Sequence, residues 1–310
     1  MNNYKRRQFI KISTGILGGF ALGGTLAACN NSADTKKTLE DSTDNKKSGD
    51  AAAAAALTAF GLQLYTLRDD FPKDPKGVLK QVADMGYKQV EGYEGKQGIF
   101  WGMKDDEFKS YMDSIGLTMV SSHCDTSKDF EKKAAQAAGA GLKYLMHPYE
   151  GRDKSIDEYK KMADDFNKKG EICKKNGIRF AFHNHDMSFL NVKGEIPQDV
   201  LMANTDPSLV DFEMDIYWVV AAGGDPEAWI KKYPNRFKAC HIKDRSKTPG
   251  ADNGKNSVDL GTGSIDFAKV LKTAKDNGME YYIVEQEFYP NGTPLAAAKV
   301  DADYMKNLKF

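Results

Sequence analysis

The sequence predicts an α/β chain closed into a single (β/α)8 TIM barrel, and three observations predict it. From Phe60 to the C-terminus, short β-type runs alternate with amphipathic helical stretches eight times over about 250 residues, the pattern of a parallel sheet whose crossovers are helices. Glycine follows several helical stretches, at Gly86, Gly116, Gly177 and Gly278, where a helix stops before the next strand. No glycine-rich phosphate turn follows the first strand, where "LQLYTLRDD" stands instead, so an open dinucleotide-binding sheet fits less well.

Taken in order, residues 1–28 read as a targeting segment outside the fold. "YKRRQFIKIS" sets Arg6 and Arg7 before Phe9 and Lys11, and the glycine-rich apolar stretch "GILGGFALGGTLAAC" follows. This resembles a twin-arginine export signal. It closes on Leu26-Ala27-Ala28-Cys29, which looks like a lipobox, with Cys29 as the lipidated first residue of the mature chain. The apolar run is too short and too glycine-rich to span a bilayer well. Residues 29–57 are polar and lack apolar periodicity, which reads as a disordered tether. The expectation is an exported lipoprotein, anchored to the membrane by its lipid alone and facing the periplasm, with the barrel over residues 58–310.

The candidate strands are "FGLQLYT", "YKQVEGYE", "LTMVSSH", "KYLMHP", "IRFAFHN", "LVDFEMD", "FKACHIK" and "YYIVEQE". Helical patterns lie between them, among them "DPKGVLKQVADMG", "KDDEFKSYMDSIG", "IDEYKKMADDFNKKGEICKKNG" and "SIDFAKVLKTAKDNG". Cys124, Cys173 and Cys240 show no paired spacing and read as small buried hydrophobes. Lys+Arg 44 balances Asp+Glu 44, which speaks against nucleic acid, whose binding needs a basic surface.

In such a barrel, chemistry belongs at the C-terminal ends of the strands, and polar residues collect there. Glu91 closes the second strand, His123 the third, His147 with Glu150 the fourth, and His183 with His185 the fifth. Asp215 ends the sixth, His241 with Lys243 and Asp244 the seventh, Glu285 with Glu287 the eighth. All five histidines fall on this one rim. Strand alternation turns His183 and His185 the same way and Asn184 the other. His, Asp, His and Glu on four adjacent strands would surround one divalent cation. Such mixed ligation suits manganese, cobalt, zinc or iron, and the missing cysteine ligands speak against structural zinc.

From about Phe60 onward the chain resembles the sugar phosphate isomerase/epimerase superfamily, the xylose isomerase-like barrels, a group that includes inosose dehydratases and ketose 3-epimerases. The motifs that carry the resemblance are "GLQLYTLRDD", "FHNHDMSF", "DIYWVVAAGGDP", "HIKD" and "YYIVEQE". It implies one metal ion, manganese favoured, held by His183, Asp215, His241 and Glu285. It makes His185 a substrate-facing histidine that could exchange roles with His183. Glu91, His185, Lys243 and Glu287 become the candidate acid–base groups, and His123, His147 and Trp218 the candidate substrate contacts. Two positions depart from the ketose 3-epimerases. His183 stands where they place a metal-bound glutamate, and Trp218 where they place a histidine.

A divalent ion beside a carbonyl acidifies the neighbouring C–H and steadies the charge that forms. Returning the proton to carbon gives isomerisation or epimerisation, while expelling a β-oxygen gives dehydration or cleavage of a keto-glycoside. The broken glutamate pair favours a lyase or hydratase acting on a keto-sugar or keto-glycoside. A sugar isomerase/epimerase is the first alternative and a non-catalytic sugar-binding lipoprotein the second. The expected partner is a small carbohydrate, and the sequence leaves dimerisation open.

Overall fold

The computed structural model describes residues 57–310. The expected export signal, the expected lipidation site Cys29 and the expected tether up to residue 56 lie outside the described residues. Eight parallel strands close a barrel: β1 (Gly61–Gln63), β2 (Gln89–Tyr93), β3 (Thr118–His123), β4 (Tyr144–His147), β5 (Arg179–His183), β6 (Val210–Asp215), β7 (Phe237–Ile242) and β10 (Tyr281–Val284). The remaining two, β8 (Asp244–Arg245) and β9 (Ser257–Val258), pair antiparallel as a ribbon at the end of β7. β1 is hydrogen-bonded to both β2 and β10 and so closes the ring. Every strand expected from the sequence is present, and only the ribbon was not foreseen.

Around the barrel run α1 (Pro75–Met85), α2 (Asp105–Ile115), α3 (Phe130–Gly139), α4 (Ile156–Lys175), α5 (Pro197–Asn204), α6 (Ile216–Ala221), α7 (Pro226–Lys232), α8 (Phe267–Asp276) and α9 (Pro294–Asn307). Their starts follow from capping chemistry. Asp74 caps α1 by accepting the Gly77 N–H at 2.9 Å ahead of Pro75, and Ser155 with Glu158 forms a capping box on α4. The stop glycines Gly86, Gly116, Gly177 and Gly278 sit at φ of 103°, 71°, 75° and 86°, a conformation that strains any residue with a Cβ.

Strand alternation then sorts the side chains into two populations. Leu145, Phe180, Phe182, Phe212, Met214, Cys240, Ile242 and Val284 belong to the large core that includes the helices. Tyr144, Met146, Ala181 and Ala239 form a separate small cluster on the opposite parity, inside the barrel. The polar residues of that parity stand above them. Register places Glu213 beside His183 and Asp215 beside His241, so polar groups of neighbouring strands meet at one level. Cys124, Cys173 and Cys240 are buried and unpaired.

Candidate active site

The stretch His183-Asn184-His185 links two strands and one cavity. β5 ends at His183, and His185 begins the short turn Asp186–Phe189, which leaves the two imidazole rings 5.0 Å apart on the wall of the same cavity. Asn184 turns the other way. Its side chain donates to the Asp215 carbonyl at 3.3 Å and accepts the Asp215 N–H at 3.2 Å, which ties β5 to β6. Asp215 is also the cap of α6: its Oδ1 accepts the Trp218 N–H at 3.2 Å. Its Oδ2 is buried and accepts no hydrogen bond, although the Lys243 ammonium stands 2.8 Å away.

Around that oxygen the donor set for a cation assembles. Donor atoms of Asp215, His241 and Glu285 lie within 4.8 Å of one another, and His183 Nε2 lies 4.0 Å from Asp215 Oδ2. Both histidines are fixed from behind by buried carboxylates. Glu213 lies 2.9 Å from His183 Nδ1, and Glu91 lies 2.7 Å from His241 Nε2. This carboxylate–imidazole pairing holds a ring nitrogen's lone pair toward a metal. Two carboxylates, two oriented imidazoles and an oxygen without a hydrogen bond suit a divalent ion. Lys243 ion-pairs with both carboxylates of the set and with Glu287, at 2.8 Å each.

A second group of possible donors, His123, His183, Glu213 and His241, shares two members with this chemistry. It offers a single carboxylate, and burial together with the charge of Glu91 pushes Glu213 up to about 7. The Asp215/Glu285 side is the more anionic of the two: although burial opposes it, the Lys243 ammonium and His241 hold Glu285 well below the ordinary carboxylate range. Opposite charge within ~4–6 Å has that effect. His183 is pushed well down, by burial first and then by His241 and His123, so its ring is neutral, as a ligand must be. For Lys243, burial works against the charge, but Asp215, Glu285 and Glu287 outweigh it and hold the ammonium.

A cavity of about 350 Å³ opens above this floor, and His123, His183, His185, Lys243, Glu285 and Glu287 line it. Four residues singled out from the sequence are placed elsewhere. Glu91 is fully buried below the cavity, where it binds Gln63 at 2.7 Å, Ser121 at 2.6 Å and His241, so it supports a ligand rather than meeting substrate. His147 has the wrong strand parity: its Nδ1 meets Thr126 Oγ1 at 2.8 Å and its ring packs on Phe166 and Phe182. Burial lowers it to about 4. Trp218 lies under the wall, its ring 5.4 Å from that of His185 and 5.1 Å from Lys243 Nζ. Asp244, expected at the rim, instead accepts backbone N–H groups of Gly261, Gly263, Ile265 and Arg245 and organises the loop after the ribbon.

Two buried acids complete the site. Glu213 stands two residues before Asp215, and the period of two was the signal for it. Glu150 follows β4, accepts the Ser188 hydroxyl and brings Oε2 to 3.6 Å from His185 Nδ1. Its place beside His185 comes from the fold of the loop after β4, which no local pattern announces.

The xylose isomerase-like TIM barrel family matches residues 79–308. An inosose dehydratase of Clostridium botulinum is 30% identical over 275 residues, which cover 82% of this chain and 88% of that one. The chain spans about half the length of the Clostridium perfringens inosose dehydratase that it matches, with 33% identity over 164 residues, 48% of this chain and 54% of the relative. Among solved structures, a sugar phosphate isomerase/epimerase of Parabacteroides distasonis superposes with a TM-score of 0.69 at 34% identity, covering 79% of this chain and 96% of the other.

Proposed function

The chain belongs to the xylose isomerase-like TIM barrel family, and from that premise we propose that it is a metal-dependent lyase acting on a keto-sugar or keto-glycoside. The observation that carries the reading is the engagement of His183. Its Nδ1 is taken by Glu213 and its Nε2 faces Asp215, so the fifth strand offers no free carboxylate to serve a second face of a carbon. An epimerase needs a proton acceptor on one face and a donor on the other. Elimination needs one base and one group at the leaving oxygen.

Asp215, His241, Glu285 and His183 would hold the ion, which supplies Lewis acidity to a carbonyl and its neighbouring hydroxyl. His185 lines the cavity with Glu150 behind it and takes the proton from the carbon beside the carbonyl. The C–H electron pair becomes the new C=C bond, and the β C–O bond breaks. Lys243 and Glu287, whose polar ends share the cavity, meet the leaving oxygen, and a proton passes to it from that pair.

Two further features support a neutral sugar. Lys243 is the only lysine or arginine lining the cavity among the described residues. Arg68 is committed to the Tyr65 and Glu287 carbonyls and the Tyr289 hydroxyl, Arg152 to Asp186 and Arg245 to Asn253. No phosphate clamp is left among them. The arginine pair and lipobox of the N-terminus support work outside the cytoplasm on a lipid tether, where free and glycosidic sugars are met.

The likeness to the Parabacteroides distasonis sugar phosphate isomerase/epimerase favours a second reading, a sugar isomerase/epimerase. One experiment separates them: purified protein of measured metal content, incubated with 3-keto-glucosides and common ketoses in deuterated water. The lyase reading expects release of water or aglycone. Interconversion of two ketoses, with deuterium entering one carbon and nothing released, would establish the isomerase instead.

A further inference from the structure

The cavity mouth is built differently from its floor. Among the described residues the large hydrophobic side chains that stay exposed are Tyr65, Tyr149, Leu190, Phe288 and Val300. Single exposed hydrophobics are ordinary, but the first four of these stand in segments that follow β1, β4, β5 and β10, at the rim above the site. Tyr65 and Tyr149 line the cavity itself while remaining 40% and 47% exposed.

Both rings are braced. The Tyr65 N–H is accepted by Gln63 Oε1 at 3.0 Å, and its carbonyl accepts Arg68 Nη1 at 3.1 Å. The Arg68 guanidinium lies over the Tyr65 ring at 4.8 Å and Tyr93 meets it edge-on at 5.2 Å. Tyr149 stands between Pro148 and the buried Glu150, edge-on to His185 at 5.1 Å. Rings fixed in this way lose little freedom when a ligand stacks on them. The acids at the mouth are spent on their own loop: Glu94 accepts the Asp125 N–H and the Lys133 ammonium at 2.7 Å each, and Asp125 accepts from Ser127. The mouth therefore offers tyrosine rings rather than unengaged carboxylates. The cavity, at about 350 Å³, is at the small end of the roughly 300–1,000 Å³ of ligand sites, which leaves anything beyond one sugar ring in that mouth.

We propose that Tyr65 and Tyr149 form an aglycone subsite, so that the substrate is a glycoside bearing an aromatic ring next to the sugar bound over Lys243 and Glu285. The inference rests on the sugar reading of the floor given above and adds the class of leaving group: a phenol-type oxygen, held by its ring while the C–O bond breaks.

The test uses ligands that lack a ketone and cannot turn over. Calorimetry on the purified full chain compares 4-nitrophenyl β-glucoside, methyl β-glucoside and cellobiose. The nitrophenyl glucoside should bind about tenfold more tightly than the methyl one, the scale of one or two aromatic contacts. Tyr65→Ala or Tyr149→Ala should remove most of that advantage, Tyr65→Phe and Tyr149→Phe should keep it, and affinity for the methyl glucoside should stay level. Equal affinities for the two glucosides would overturn the subsite and leave the sugar reading standing. Tightest binding of cellobiose, lost in the alanine variants, would replace the aromatic aglycone with a second sugar and overturn the proposal. Failure of every glucoside to bind would sink the sugar reading and this inference with it.

Discussion

His241 has a carboxylate near each ring nitrogen, Glu91 at Nε2 and Glu285 at Nδ1, and which nitrogen carries the proton decides whether the ring can ligate. Glu91 is the shorter contact and has no access to the cavity, so with an ion bound it would keep the proton on Nε2 and leave the Nδ1 lone pair to the metal. Glu91→Gln keeps the shape but removes the charge that selects this tautomer. We expect metal affinity to fall about 10–100-fold, the usual effect of losing such a partner, with the barrel still folded. Titration of the metal-stripped variant with Mn²⁺ or Zn²⁺ measures it, and unchanged affinity would return Glu91 to the list of unexplained buried acids. The paired test separates ligand from acid–base group. Asp215→Ala should lose most bound metal by elemental analysis, whereas His185→Ala should retain metal and lose turnover. Stoichiometric metal in Asp215→Ala would refute the site.

At the scale of elements, the loop that follows β9 is pinned to α9 by one acid. Asp301 Oδ1 accepts the Leu260 N–H at 2.8 Å, and its Oδ2 is buried with no partner. Burial pushes this carboxyl up to about 8, above its unfolded value of ~3.9. The folded state therefore keeps a proton that the unfolded state loses, and stability falls as pH rises from about 4 to about 8. Asp301→Asn retains the acceptor without the charge. It should be more stable than the parent by on the order of 5 kcal/mol at pH 8.5, with the gap closing as pH falls toward about 4, as urea unfolding at pH 8.5 and pH 4 would show. A gap independent of pH would mean that Asp301 is not the titrating group. These loop contacts mark the limit of what the sequence can show. Eight strands, four stop glycines and the shared facing of His183 and His185 were legible because each follows from a local period or a local cap. Parity went unused at His147, where counting back from Met146 and Tyr144 would have turned the ring outward. Asp244 and Asp301 could not be read, since apart from the adjacent Arg245 N–H their partners are backbone N–H groups 17 and more residues away, and no period links them.

For the whole molecule the question is where the folded body begins, and the first strand answers it. β1 is only three residues long, yet it bonds to both neighbours and closes the barrel. Phe60, just before it, is buried, packs edge-on against Tyr87 at 5.2 Å, and its carbonyl accepts the N–H groups of Lys88 and Gln89 at 3.2 and 3.3 Å. The tether reading expects removal of residues 29–56 to leave the native state's energy unchanged, whereas removing Phe60 opens a cavity and leaves two N–H groups without their acceptor. Losing a buried phenylalanine side chain costs about 3–5 kcal/mol, and in a body of this size 1 kcal/mol moves Tm by roughly 2–4 °C. A chain beginning at Leu57 should therefore melt in one transition within about 2 °C of a chain beginning at Cys29. A chain beginning at Gly61 should melt roughly 10 °C lower, or fail to close. Calorimetry of the three chains at equal metal content decides it. A loss of several degrees on deleting residues 29–56 would show that this segment packs on the barrel, and the tether reading of those residues would have to be given up.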